Sequence, residues 1–372
     1  MFHVKHTPPA LAFLDEALAR AAATDLLRQR PAPADGGTLS FCSNDYLGLA
    51  SESAPVAASG AGASRLVSGD RPVHARLEAA AAELVGQPAS LVFTSGYAAN
   101  VGALAALAGP GDLVVSDALN HASIIDGTRL SRADLKVVPH LDVPAVEAAL
   151  QASRHARVFV VTESYFSMDA DSPDLVALRR VCDARGAALV VDEAHALGVL
   201  GPEGRGLCAE AGVQADVLVG TFGKAFGAGG AFVAGCPSLA TWLWNRARSF
   251  VFSTGLSPVV AAAAFQGMTR AWAEPERRRQ VLAAATRLRA GLAQLGVHVV
   301  GFGAIVPWIV GEPGRALRLA SRLRELGLDV RAIRPPSVPE GTARLRLTVT
   351  AAHRPQDIDQ ALDAVGRAVA AG

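Results

Sequence analysis

The chain has 372 residues, 51% of them apolar, and its 35 basic side chains against 34 acidic ones leave a formal net charge of +1. That length points to two lobes with ample core material, and the balanced charge excludes a global pull toward nucleic acid or an acidic membrane. Cys42, Cys182, Cys208 and Cys236 are far apart and form no C-x-x-C pair. Neither a zinc site, a redox motif nor a secreted disulfide framework is expected, and no metal is predicted.

Residues 1–10 contain Lys5, His3 and His6 but no apolar run behind them, so they do not read as a signal peptide and a cytoplasmic protein is expected. Leu11, Leu14, Leu18 and Leu26 recur at helical spacing and predict an N-terminal helical arm over 10–30. No charged residue lies between Glu83 and Asp112, a length that suits a membrane span. Gly86, Pro88, Gly96 and Asn100 instead break the run into strand, turn and helix. Unbroken apolar runs at 90–94 (SLVFT), 113–116, 158–162, 188–191 and 217–220 predict strands buried on both faces. Helices are expected between them at 97–108, 121–131, 144–153 and 173–185. This alternation predicts an α/β domain with a mostly parallel sheet. Beyond residue 257 come expected helices after Pro258 and over 275–296. Strands at 304–310, 328–333 and 344–349 and helices at 314–326 and 355–371 complete a smaller α+β lobe. The expected division is an arm at 1–40, a large domain at 41–256 and a small domain at 257–372.

Several common motifs are missing. There is no phosphate-binding G-x-x-x-x-G-K-[ST], no full G-x-G-x-x-G, no H-E-x-x-H and no G-x-S-x-G. The letters of a helicase box at 192–195 (DEAH) therefore stand without their phosphate loop. A nicotinamide dehydrogenase is disfavoured on the same ground.

The informative residues follow strands. Asp192 ends an apolar run, at the sheet edge where open α/β folds bind ligands. Such a carboxylate suits a protonated pyridine nitrogen, or else a helix cap. Lys224 follows another run between Gly223 and Gly227, where an amine is desolvated enough to be partly neutral. Lys5, Lys136 and Lys224 are the only lysines of the chain, so a lysine kept among many arginines suggests a need for a deprotonatable amine. At 94–100 (TSGYAAN) a strand passes into a helix near Tyr97. Gly96 lets an anion approach the free N–H groups there, with Ser95 as a cap, and Thr221 adds a hydroxyl near the lysine loop. His121, at a further strand-to-helix junction, can stack on an aromatic cofactor. Ser167 and His195 are placed to bond a phenolic oxygen. Each has an ordinary structural reading as cap, turn or surface residue. Together they are the parts of a pyridoxal-phosphate site.

With these residues in view the chain resembles the α-oxoamine synthases, fold-type-I pyridoxal-phosphate enzymes, over nearly its whole length. The likeness runs through 43–48 (SNDYLG), 69–74, 94–100, 120–123, 162–169 (TESYFSMD), 192–195, 221–224 and 252–254. It implies a mostly parallel seven-stranded sheet in the large domain and a homodimer with shared active sites. It also implies that Lys224 forms the Schiff-base link, Asp192 pairs with the ring nitrogen and His121 stacks on the ring. His195 and Ser167 would touch the ring oxygen. Ser95, Gly96, Tyr97 and Thr221 would serve the cofactor, with Thr254 reaching the partner's phosphate group. Arg346 would grip the amino-acid carboxylate, and Arg28, His121 and Ser337 would contact substrate. The stretch 333–347 is similar to the biotin-pathway branch. That branch condenses L-alanine with a pimeloyl thioester, on coenzyme A or acyl-carrier protein, giving 8-amino-7-oxononanoate, carbon dioxide and free thiol. The alternatives are a glycine-using relative and a non-catalytic acyl-thioester-binding homologue; for the latter an altered Lys224, Asp192 or His121 is expected, and all three are present. The sequence departs from the family pattern at Phe252, at Ser337 and in a shortened stretch at 50–63.

Overall fold

All five apolar runs predicted as buried strands take part in one sheet. In the computed structural model, which describes residues 13–28, 38–51, 55 and 57–370, a short β1 (Leu39–Ser40) precedes β2 (Ala89–Phe93), β3 (Leu113–Asp117) and β4 (Asp134–Val138). Then come β5 (Val158–Glu163), β6 (Ala188–Asp192), β7 (Val217–Thr221) and β8 (Ala231–Gly235). The sheet order is β2-β8-β7-β6-β5-β3-β4. Strands β3 to β7 are mutually parallel, and β8 is antiparallel to both its neighbours. Two antiparallel pairings in succession make β2 parallel to β7. The carboxyl ends of β2, β3, β5, β6 and β7 therefore share one edge. Every residue of β3 and β7 is buried, as a sheet covered by helices on both faces requires.

Two strands of this sheet were not expected. β4 (DLKVV) lies at the sheet edge with its first four residues exposed, so it lacks an apolar run. β8 (AFVAG) is a short apolar run that returns from β7 directly through a glycine-rich turn, without the helix that separates the parallel strands. The expected helices are Gly96–Leu107, Ala122–Ser131, Val143–Ala152 and Leu175–Arg185, to which the structure adds Pro72–Leu84 and Pro237–Arg246.

A second sheet is formed by β9 (Ile305–Gly311), β11 (Arg331–Ile333) and β12 (Ala343–Thr348), in the order β11-β12-β9, all antiparallel. The strand expected over 328–333 is split. Its first part, β10 (Leu328–Asp329), leaves to pair in parallel with β1. Helices Pro258–Ala273, Pro275–Gln294, Pro313–Glu325 and Pro355–Ala370 accompany this half. The expected arm helix is shorter than predicted, at Phe13–Ala23. Leu26 falls in the turn after it, where the amides of Leu26 and Leu27 both reach the carbonyl of Ala21 at 2.8 and 2.9 Å. Leu11, and residues 52–54 and 56 of the shortened stretch, lie outside the described residues. No helix among the described residues is long and apolar enough to cross a membrane.

One ion cluster ties the sheet to the loop after β5. His140 Nδ1 meets Asp117 Oδ1 at 2.9 Å and its Nε2 meets Asp171 Oδ2 at 3.2 Å. With a carboxylate on each ring nitrogen, the imidazole donates twice and is a cation. Partial burial opposes that charge, but Asp117 and Asp171 outweigh it and push the pKa up to about 10. A folded-state value above the usual 6.5 contributes stability that is complete below pH ~6.5 and is lost as pH rises through about 10. His140→Gln is expected to lower unfolding free energy by about 2–3 kcal/mol at pH 6. The gap from wild type should narrow steadily toward pH 9.5 in urea titrations. A gap that stays constant with pH rejects the imidazolium assignment.

Candidate active site

The parallel strands deliver chemistry to one edge. Asp117, Glu163, Asp192 and Thr221 are the last residues of β3, β5, β6 and β7, and the turn after Thr221 carries Lys224. Thr221 shapes that turn: its hydroxyl donates to the carbonyl of Gly230 at 3.1 Å and accepts from the Gly223 N–H at 3.1 Å.

Asp192 is buried, and both its oxygens are held. Oδ1 accepts from the Ala194 N–H at 2.8 Å, and Oδ2 accepts from Asn100 Nδ2 at 2.7 Å. The same Asn100 amide donates to Ser123 Oγ at 3.0 Å, and Ser123 Oγ lies 2.7 Å from His121 Nδ1. The Ser123 N–H also points at His121 Nδ1, at 3.2 Å. Nδ1 is therefore the acceptor of this chain, which assigns the imidazole proton to Nε2. His121 faces the open cleft. Crowding by the surrounding walls lowers its pKa below the ordinary histidine value; Asp192 works against this and Lys224 adds to it.

Lys224 is half-buried. Desolvation brings its pKa down to about 8, against the pull of the Asp192 and Glu163 carboxylates and with a smaller push from Arg346. Glu163 is buried and accepts from the His121 N–H at 2.8 Å. Burial first, then the nearby Asp192, raise its pKa to about 8. His195 is buried with Nδ1 2.7 Å from the Tyr46 hydroxyl, and desolvation keeps it neutral, with Lys224 and Arg346 adding to the effect.

Arg346, on β12, reaches across to the large sheet. Its Nε donates to the Ser167 carbonyl at 2.6 Å, and Nη1 donates to Asn44 Oδ1 at 2.9 Å and Thr348 Oγ1 at 3.1 Å. Among the described residues its Nη2 is buried with no hydrogen-bond partner. A buried guanidinium with one unsatisfied edge is a receptor for a carboxylate. Ser167 lines a cleft of about 570 Å³ with His121, Glu163 and the loop 335–340. Ser337 lies on both this cleft and a second one of about 740 Å³, where it accepts from Arg28 Nη2 at 2.8 Å.

At the start of the Gly96–Leu107 helix, Ser95 caps the Ala98 N–H at 3.1 Å. A Cβ added at Gly96 would meet nothing nearer than Thr221, at 4.0 Å, which leaves an open rim beside free helix N–H groups. Tyr97 is half-exposed and its hydroxyl donates to Asp126. Thr254 is exposed, and among the described residues it makes no hydrogen bond to any of these groups.

The structure thus gathers Lys224, Asp192, His121, His195, Ser167, Thr221, Gly96 and Arg346 around one edge, with Arg28 and Ser337 at the lip of the cleft. Sequence reasoning gave no role to Asn100, Glu163, Asn44 or Tyr46. Asn100 had left a trace as a polar residue in an alanine-rich helix, which must find a partner once buried. The set suits a phosphorylated aromatic aldehyde. It offers an amine partly neutral near pH 8, a buried carboxylate with lone pairs to spare, an imidazole on the cleft wall and a small-residue rim at a helix start.

Comparison with known proteins agrees. The family model for class I and II aminotransferases matches residues 37–365. The 8-amino-7-oxononanoate synthase of Anaeromyxobacter dehalogenans is 49% identical over 339 residues, covering 88% of this chain and 85% of that protein. A serine palmitoyltransferase from S. paucimobilis, solved with pyridoxal phosphate and myriocin bound, superposes with a TM-score of 0.89 at 28% identity, over 97% of this chain and 98% of that one. The Francisella tularensis 8-amino-7-oxononanoate synthase superposes with a TM-score of 0.76 at 25% identity, over 91% and 99%.

In protein stripped of small molecules, labelling of Lys224 by an amine reagent, followed by peptide mass spectrometry, is expected to titrate near pH 8. Asp192→Asn removes a charge that holds the proton on, so the midpoint should move lower. An unmoved midpoint in that variant, or a wild-type midpoint near 10.5, contradicts the assigned electrostatics.

Proposed function

The chain belongs to the class I and II aminotransferases and, within them, to the 8-amino-7-oxononanoate synthases, and on that premise we propose that it joins L-alanine to a pimeloyl thioester with loss of carbon dioxide. The thioester is carried on coenzyme A or acyl-carrier protein. What supports this reading is the 49% identity to an 8-amino-7-oxononanoate synthase over 88% of the chain, together with the half-buried Lys224 amine at the sheet edge beside Asp192 and Glu163.

Pyridoxal phosphate supplies, when bound, a carbonyl for an amine to capture and a protonated ring that takes up the electron pair of a bond broken at the amino-acid α-carbon. Lys224 would hold that carbonyl through its amine, and the same amine, partly neutral near pH 8, would serve as the general base for the α-proton. Asp192, oriented by Asn100 and the Ala194 N–H, keeps the ring nitrogen protonated. His121, on the cleft wall, would lie against the ring, and its Nε2 carries the proton it would give as the carboxylate is lost. Ser167 and His195 would bond the ring oxygen. Ser95, Gly96, Tyr97 and Thr221 would seat the phosphate, with Thr254 reaching it from the other subunit of a dimer. Arg346 takes the alanine carboxylate on its unsatisfied Nη2 edge. Arg28 and Ser337 contact the acyl donor. In the net reaction a carbon–carbon bond forms between the α-carbon and the thioester carbonyl, the thiol leaves, and the bond to the carboxylate breaks.

The homodimer rests on apolar exposure beside the phosphate rim. Val67 is 79% exposed and Phe252 73% exposed. Their segments join the start of the Gly96–Leu107 helix through Ser249 Oγ, which donates to the Ala98 carbonyl at 2.6 Å, and through Arg65, 5.5 Å from the Phe250 ring. Apolar groups so exposed on adjoining segments support an interface there. A cytoplasmic location goes with this reading, and the four unpaired cysteines suit a reducing compartment.

Likeness to a serine palmitoyltransferase at a TM-score of 0.89 supports a second reading, with serine as the amino acid. Identity of 49% to a synthase against 28% favours alanine. With pimeloyl-coenzyme A, turnover of L-alanine is expected to exceed that of serine and glycine. Lys224→Ala should lose more than the roughly 10²–10⁴-fold assigned to one acid–base group, because the cofactor link goes with it. Arg346→Ala should raise the KM for alanine by roughly 30-fold or more. A preference for serine overturns the alanine reading, and near-parental turnover in Lys224→Ala overturns the mechanism.

Sedimentation of the wild-type protein is expected to give a dimer that Phe252→Asp weakens. A monomer with full activity removes the shared site and the role of Thr254.

A further inference from the structure

The turn that follows β11 grips the N-terminal arm from two sides. Arg334 Nη1 donates to the carbonyl of Asp25, and Nη2 donates to the carbonyl of Leu27 at 3.4 Å. Three residues on, Ser337 Oγ accepts from Arg28 Nη2 at 2.8 Å. Arg334 and Ser337 close one turn, with the Ser337 N–H on the Arg334 carbonyl at 3.0 Å. On the arm side, the amides of Leu26 and Leu27 are spent on Ala21. The carbonyls of residues 25 and 27 are left facing the body, where the guanidinium fork spans both. The turn itself rests on a firm base, because β11 pairs with β12 in a register that sets Arg331 opposite Arg346.

We propose that Arg334 is a positioning residue that straps the arm across the lip of the cleft and thereby holds Arg28 where the acyl donor passes Ser337. The proposal rests on the acyl-transfer reading above for its substrate, though not for the strap itself. A planar fork with several donors can bridge two carbonyls, whereas an ammonium on a flexible stem cannot hold both in that geometry. The charge of Arg334 is therefore secondary, and its shape matters. Because Ser337 lines the catalytic cleft and the cleft beneath the arm alike, loosening the arm changes the lip without touching Lys224, Asp192 or His121.

The experiment compares wild type, Arg334→Lys, Arg334→Ala, Arg28→Ala and the Arg28/Arg334 double alanine variant, each as full-length holoenzyme. Hydrogen exchange of the arm peptide covering residues 21–28 should quicken in both Arg334 variants. The KM for pimeloyl-coenzyme A should rise about tenfold in both, a loss of the order expected for hydrogen bonds to a charged group. The KM for alanine, the visible cofactor band and kcat should stay within about twofold. The double variant should be no worse than Arg28→Ala alone, because Arg334 acts through Arg28. Unchanged exchange overturns the strap. Quickened exchange with an unchanged donor KM overturns its link to the substrate, as do effects that multiply in the double variant. If Arg334→Lys behaves as wild type, charge and not shape is the cause, and the proposal falls. Failure of the wild-type protein to condense alanine with either thioester would instead strike the functional reading and the donor half of the proposal, while the exchange data would still decide the strap.

Discussion

Everything at this site depends on keeping an amine half-buried at the carboxyl edge of a parallel sheet. Burial alone strips an ammonium of water and drives off its proton; nearby carboxylates alone would hold the proton on. Lys224 sits where the two nearly balance. Desolvation wins by enough to bring the amine close to neutrality near pH 8, while Asp192 and Glu163 limit the fall. The same balance acts in reverse on Glu163, which burial pushes up to about 8. These two groups and Asp192 are brought close only because β5, β6 and β7 run parallel and adjacent and end together. The electrostatics are thus a consequence of topology.

This explains what could be read from the sequence. Buried parallel strands are continuous apolar runs, so β2, β3, β5, β6 and β7 are plain in the sequence, and so are Asp192 and Thr221 at the ends of β6 and β7, whereas Asp117 and Glu163, which end β3 and β5, carry no signal of their own. Asp192, Lys224 and His121 were found because each breaks an apolar stretch at a predicted strand end or helix start. Asn100 and Tyr46 were not assigned roles, since their importance comes from partners 92 and 149 positions away in sequence. β4 escapes because an edge strand may stay polar, and β8 because it returns from β7 through a glycine turn, outside the strand–helix–strand alternation by which the other strands are read. β10 was joined to β11 for another reason: only the pairing with β1, 289 positions earlier at Leu39↔Leu328, divides an otherwise continuous strand pattern. The roles of Arg28, Ser337, Thr254 and Arg346 came from resemblance alone, and of these the geometry reaches furthest for Arg346.

Shape and sequence answer different questions here. The backbone lies closer to a serine palmitoyltransferase, at a TM-score of 0.89, than to a synthase structure at 0.76, although the sequence is far nearer to synthases. A shared backbone preserves what the whole reaction class needs, namely the strand ends, the helix start at Gly96 and the lysine turn. Substrate choice needs only a few side chains at the lip, which a global superposition scarcely weighs. The loop 335–340, which includes Ser337, lines the cleft in that position.

The seam between the two sheets gives that lip its leverage. Arg346 and Arg344 both leave β12 to grip the loop after β5, Arg346 through the Ser167 carbonyl and Arg344 through the Met168 carbonyl and the Asp169 carboxylate. The opposite end of that loop is held by His140 through Asp171. The loop bearing Ser167 is therefore clamped by the large sheet on one side and by the small sheet on the other. The small sheet extends the same support outward through β11 to Arg334 and the arm. Arg346, Ser167 and the turn bearing Ser337 are joined by strand pairing and hydrogen bonds and cannot be repositioned independently, so a change at the arm is felt at the side-chain contact that links it to that turn, between Arg28 and Ser337.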